Sequence, residues 1–234
     1  MISALLRSEI EARHPLAFKP RLYREVPYIS TGIGAIDSLT KGIPLYSLTE
    51  ICGSSIASSG KTTTFVSLLA QATRQGQFCA LVDASDCFDP ASAESSGVAL
   101  SHLLWIRCGT TQQKHSRLTQ ALKITDLLVQ RNGFGVIVVD LSRIPEKTVR
   151  RIPMVDWFRY SRVVENLPTA LVFIEQQPHA TSCAGLVLNV RTESANLSGK
   201  LFTNFKVKAE VLRTRERKGV QSVTQDFSIR TQWT

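Results

Sequence analysis

The chain has 234 residues, 43% of them hydrophobic and 20% charged, and its 28 basic against 19 acidic side chains leave a net charge of +9. These proportions support one large buried core and exclude a mostly disordered chain. No apolar run reaches the roughly 18 residues of a membrane span. The opening Met1-Ile2-Ser3-Ala4-Leu5-Leu6-Arg7 lacks a basic region ahead of a long apolar stretch, so no signal peptide is expected and a cytoplasmic location is.

Residues 2–13 place Ile2, Leu5, Leu6 and Ile10 at helical spacing, and His14-Pro15 ends that helix. The stretch to Tyr28, with Pro15, Pro20 and Pro27, reads as an extended linker, which makes residues 1–28 an appendage and 29–234 the core domain. From Tyr46 onward strands and helices alternate. Leu48–Cys52 reads as a strand, Lys61–Gln75 as a helix stopped by Gly76, Phe78–Val82 as a buried strand, and Ala91–Ser96 as a short helix. Leu103–Arg107 is expected to be a second buried strand, His115–Gln130 a helix, and Val136–Val139 the most apolar strand. Residues 154–167 put Met154, Trp157, Val164 and Leu167 on one helical face, with Trp157, Phe158 and Tyr160 core or partner-facing, and Ala170–Ile174 is another buried strand. Such alternation implies parallel strands with helices on both faces. Lys206–Leu212 then alternates, Glu216–Gly219 makes a turn, and Val223, Phe227, Ile229 and Trp233 share a strand face. The fold class is α/β, a mostly parallel sheet closed by an antiparallel C-terminal hairpin.

The five cysteines (Cys52, Cys79, Cys87, Cys108, Cys183) have no metal-pair spacing and read as small buried hydrophobes, and the four histidines form no ligand pattern. The charge is uneven. Residues 143–219 hold fourteen basic and seven acidic side chains, whereas 32–142 hold eight of each. A localised excess of this kind points to a polyanion, most often nucleic acid.

The chemistry-bearing segment is Gly53-Ser54-Ser55-Ile56-Ala57-Ser58-Ser59-Gly60-Lys61-Thr62, between a strand and a helix. Glycine and serine let backbone N–H groups turn around phosphate oxygens, and the helix N-terminus adds unpaired donors. Lys61 would reach the β- and γ-phosphates of ATP, and Thr62 would hold Mg²⁺. The stretch is two residues longer than the pattern G-x-x-x-x-G-K-[ST], with Ser55 where that pattern has glycine. Asp140, ending the most apolar strand, stands where a Mg²⁺-water carboxylate sits in such ATPases.

In this order the residues resemble the RecA/RadA family of recombination ATPases. Ile29-Ser30-Thr31-Gly32, Ile36-Asp37, Lys41-Gly42-Ile43-Pro44 and Leu48-Thr49-Glu50-Ile51 match the run before the phosphate loop, and Ser58-Ser59-Gly60-Lys61-Thr62-Thr63 matches the loop. Cys79–Ala84 with Asp89-Pro90, Val136–Asp140 and Leu171–Gln176 match the following strands, over about residues 29–215. The resemblance implies a RecA-like core binding ATP and Mg²⁺ through Gly53, Ser58, Ser59, Gly60, Lys61, Thr62, Thr63 and Asp140. It also implies that Gln176 senses the γ-phosphate. The family's water-activating glutamate is replaced by Ser85, leaving Asp86 as the candidate base, and its adenine-stacking aromatic is replaced by Ser92. On this resemblance the separate C-terminal domain of the recombinases is expected to be missing.

Two loops of that fold hold single-stranded DNA. Arg143–Arg151 would offer Arg143, Lys147, Arg150 and Arg151 to phosphates, and Gln177–Lys200 would offer Arg191 and Lys200. Arg213, Arg215, Arg217 and Lys218 add a basic cluster at the expected hairpin turn. A short RecA-like chain with an altered phosphate loop is most similar to the ImuA group, paralogues in bacterial damage-induced (SOS) mutagenesis that work with translesion polymerase proteins. An accessory factor of that kind is the first expectation. The alternative is an active recombinase that hydrolyses ATP, self-assembles into filaments and exchanges strands. A division inhibitor of SulA type is disfavoured by Gly60-Lys61-Thr62.

Overall fold

Strands whose residues are all apolar need cover on both faces, and that need sets the architecture. A computed structural model describes residues 12–13, 26–54, 60–109, 116–198, 201–215 and 224–230. An antiparallel pair, β1 (Tyr28–Ile29) and β2 (Ile43–Pro44), flanks helix α1 (Gly34–Thr40). Strand β3 (Ser47–Cys52), helix α2 (Lys61–Arg74), strand β4 (Cys79–Asp83), helix α3 (Pro90–Ser95) and strand β5 (Leu103–Arg107) follow. Then come α4 (Arg117–Arg131), β6 (Val136–Asp140), α5 (Glu146–Val149), α6 (Met154–Val164) and β7 (Ala170–Glu175). The chain closes with β8 (Leu186–Ser198), β9 (Leu201–Thr214) and β10 (Thr224–Arg230). Their eight-stranded sheet runs β10-β9-β8-β3-β7-β6-β4-β5, parallel from β8 to β5 and antiparallel at β9 and β10. The α/β class and the antiparallel close are as expected.

Every residue of β3, β4, β6 and β7 is buried. On one sheet face Leu68, Leu69 and Ala72 of α2 meet Ile51, Leu81, Val138 and Val172. On the other, Ala121 and Leu128 of α4 and Trp157, Tyr160 and Val164 of α6 meet Val82, Val139, Leu171 and Phe173. The ring of Phe173 lies 4.8 Å from Trp157, centroid to centroid, and the Tyr160 hydroxyl donates to the Leu122 carbonyl at 3.1 Å. Capping fixes two helix starts. Ser116 accepts the Thr119 N–H at 3.2 Å, and Asp89 accepts that of Ser92 at 3.1 Å with Pro90 at the first helical position.

Several expectations are corrected. β5 is an edge strand among the described residues, and its Leu104 is exposed. Phe78 precedes its strand and is exposed. Met154, the first residue of α6, is exposed, whereas Trp157 and Val164 face inward and Leu167 packs against the same core, joined there by Tyr160. Of Trp157, Phe158 and Tyr160, only Phe158 is exposed. The segment Gln177–Lys200 is not one loop. From Leu186 it is strand β8, paired with β3 and β9; its Leu186, Leu188 and Val190 enter the core on one sheet face and Val187 that on the other. The turn at Glu216–Gly219, the side chains of Val223 and Trp233, Arg217 and Lys218, and residues 1–11 of the N-terminal helix lie outside the described residues. Ala12 and Arg13 are helical.

All five cysteines are free, and four are buried as read; Cys87 is exposed. No described helix is long and apolar enough to cross a membrane.

Candidate functional site

Parallel strands that all end at one edge collect their following loops there, and a crevice opens where the strand order reverses. β3, β4, β6 and β7 bring Gly53, Asp83, Asp140 and Glu175 to that edge, and Asp83 and Asp140 are direct register partners. Gly60 starts α2 with φ +86°, and a Cβ there would meet two Val207 methyl groups at 3.1 Å, so glycine is required for both reasons. Among the described residues no side chain caps α2, whose first N–H groups have no partner within the helix.

Lys61 is buried. Its ammonium donates to the Gly53 carbonyl at 2.6 Å and the Glu175 carbonyl at 3.0 Å. Burial pulls its pKa down, and Asp140, Cys52 and Glu175 pull it back up. Thr62 is exposed and Thr63 half-buried on the first turn. Beside them α2 and α3 enclose a cavity of about 500 Å³ lined by Thr62, Thr63, Phe88, Asp89 and Ser92. Asp140 is buried and accepts the Ser142 N–H at 2.8 Å; burial raises its pKa, while Ser142 opposes the rise. Asp83 accepts the N–H groups of Cys87 and Phe88 and the Trp105 indole N–H, at 3.2–3.3 Å.

The segments after β4 and β6 are stitched together by Ser85. Its hydroxyl donates to the Asp140 carbonyl at 3.3 Å and accepts the Arg143 N–H at 3.0 Å. Asp86 has φ +54° and points to the sheet edge, where its Oδ1 accepts from Arg107 Nη2 at 2.7 Å. Gln176 donates from Nε2 to the carbonyls of Ser142 and Ile144, each at 3.1 Å, and so ties the end of β7 to the segment after β6. On that segment Arg143, Lys147, Arg150 and Arg151 are all exposed, around the one-turn helix α5. Arg191 is exposed on β8 opposite Lys208, away from any loop, while Ser58, Ser59 and Lys200 lie outside the described residues. Gly53, Gly60, Lys61, Thr62, Thr63 and Asp140 thus converge at one edge, and Asp86 and Arg191 stand apart from them.

Sequence reasoning left out three residues of this site. The buried Glu50 and Glu175 and the half-buried His179 form a network beside Lys61. The legible signal was a carboxylate inside or ending a strand expected to be buried on both faces, where an ionisable group is rare without a partner.

The sequence profile of the RecA N-terminal domain matches residues 18–148, more than half of the chain. Among curated relatives, Protein RecA of Marinobacter nauticus is 39% identical over 117 residues, which cover 49% of this chain and 31% of that protein. Protein RecA of Pseudomonas fluorescens is 42% identical over 117 residues, with the same shares. That of Pseudomonas syringae pv. syringae is also 42% identical over 117 residues, covering 49% of this chain and 30% of the relative. The match therefore spans about a third of the relatives' length.

Proposed function

Since the chain belongs to the RecA N-terminal domain family, we propose that it is a Mg-ATP-binding, single-stranded-DNA-binding protein of DNA repair or damage tolerance, acting as a nucleotide-gated accessory factor of the ImuA kind. The observation that carries this reading is Lys61: a buried ammonium at a helix start, held by two carbonyls at the sheet edge that also receives Asp140. Buried cations are retained when they have an anion to meet. The residues suit the nucleotide: Lys61 and the N–H groups of α2 for the phosphates, Thr62 and, through water, Asp140 for Mg²⁺. The cavity between α2 and α3 is large enough for a base, lined by hydroxyls and Phe88. Bound Mg²⁺ supplies neutralisation of phosphate charge.

Two observations favour a switch over a turnover enzyme. Ser85 is neither acidic nor free, being bonded to both neighbouring segments, and Asp86 is paired with Arg107. A general base must reach the proton it takes. Single-stranded DNA would lie along Arg143, Lys147, Arg150 and Arg151, and Gln176 links that segment to the nucleotide edge. Protein partners would be a translesion polymerase or further copies of the chain.

The DNA assignment is checked by fluorescence anisotropy of a labelled single-stranded oligonucleotide in rising salt. Replacing Arg150 and Arg151 by alanine removes two phosphate contacts and should flatten the log–log salt slope by about 1.4, on the basis of about 0.7 per contact for single strands. An unaltered slope contradicts the assignment.

A further inference from the structure

Beneath the phosphate loop, two carboxylates sit wholly inside the protein. Glu175 ends β7 and pairs in register with Cys52 of β3; Glu50 lies two residues before Cys52 and so shares its sheet face. Glu50 Oε1 accepts the backbone N–H groups of His179 at 2.6 Å and Ala180 at 2.8 Å. Glu175 Oε2 meets His179 Nδ1 at 2.7 Å. The second oxygen of each carboxylate has no hydrogen-bond partner among the described residues. An unsatisfied buried oxygen costs about 1–3 kcal/mol, more when charged. Two such groups side by side therefore favour keeping a proton.

The ionisable groups around them come from four directions. Lys61 of α2 lies on the Glu175 carbonyl, Cys52 belongs to β3, His179 to the segment after β7, and Arg213 of β9 bears on Glu50 while donating to the Thr181 carbonyl at 3.0 Å. Burial keeps the Cys52 thiol neutral. Burial is also what chiefly lifts Glu175, to about 7, helped by Glu50 and opposed by His179 and Lys61; its bond to Glu175 in turn raises His179.

Lys61 connects this cluster to the phosphates. Two of its three N–H donors rest on the Gly53 and Glu175 carbonyls, so a phosphate drawn to the third brings negative charge close to the end of β7, and that charge favours the neutral carboxyl. We propose that Glu50, Glu175 and His179 form a proton-linked latch, in which nucleotide arrival at Lys61 drives transfer of a proton from solvent onto Glu175 and loosens the 177–185 segment from β3. No electrons move; the carboxylate gains one O–H bond, and its ion pair with His179 is lost. The three are positioning residues, and the latch rests on the reading that Lys61 binds nucleotide.

Linkage is reciprocal, so a ligand that promotes protonation binds more tightly as pH falls. Isothermal titration of the full chain with Mg-ATP, in buffers of low and high ionisation enthalpy near pH 7, reads proton uptake directly. The expected result is net uptake by the wild type, and affinity that rises between pH 8 and pH 6 by up to about tenfold per pH unit. Both effects should vanish in Glu175→Gln. Binding without uptake, or equal uptake in wild type and Glu175→Gln, overturns the latch while leaving nucleotide binding intact; absence of Mg-ATP binding overturns both. A second readout needs no variant. Amide exchange at His179 and Ala180 should quicken on adding Mg-ATP, and unchanged exchange in nucleotide-bound protein counts against the latch.

Discussion

Replacing Lys61 with alanine should weaken Mg-ATP binding at least tenfold, a loss of about 1.4 kcal/mol or more. The ammonium is buried and its protein partners are two neutral carbonyls. A cation in that setting has a strong preference for an anion, since a charge-assisted bond is roughly twice as strong as a neutral one. Alanine removes the charge and leaves the Gly53 and Glu175 carbonyls short of a donor, so a modest loss of stability accompanies the loss of affinity. Arginine should not restore binding, because its planar fork is wider than an ammonium and Lys61 occupies a closed site. Calorimetry on folded variants decides the matter, and an affinity equal to wild type removes Lys61 from the site.

The second large effect concerns the fold. Trp157→Ala should destabilise the domain by about 3–5 kcal/mol in denaturant unfolding, since the ring is buried against Phe173 and a cavity would remain. Its neighbour Phe158 is 47% exposed, and Phe158→Ala should change stability by no more than about 0.5 kcal/mol. Equal effects at the two positions would mean that α6 is rotated from the orientation described.

The contrast also shows what could be read in advance. β4, β6 and β7 were legible because they are covered on both faces and their sequences are nearly all apolar. β8 was not. Beyond Val187, which is buried on the second sheet face, Leu188 and Val190 alternate with polar Asn189 and Arg191 in a pattern that also suits a polar loop. β5 was read as buried because a sheet edge leaves no mark in an apolar run. Helix α6 was found with Trp157 and Val164 inward and Leu167 against the same core; only Met154, at its first residue, is exposed.

The site divides along the same line. Gly60, Lys61, Thr62 and Asp140 were readable because local spacing places them at strand and helix ends. The Glu50–Glu175–His179 network depends on the pairing of β3 with β7 and on a segment 129 residues away from Glu50 along the chain. The partner of Asp86 was equally hidden, because Arg107 comes from the neighbouring strand.

Steady-state ATP hydrolysis with and without single-stranded DNA, in wild type and Lys61→Ala, tests the central claim most directly when run beside Mg-ATP binding. A nucleotide-gated accessory factor binds Mg-ATP through Lys61 yet shows no DNA-stimulated turnover, since Ser85 is bonded into the fold and Asp86 is held by Arg107. Turnover that rises with DNA and disappears in Lys61→Ala would contradict that account and establish a DNA-dependent ATPase in its place.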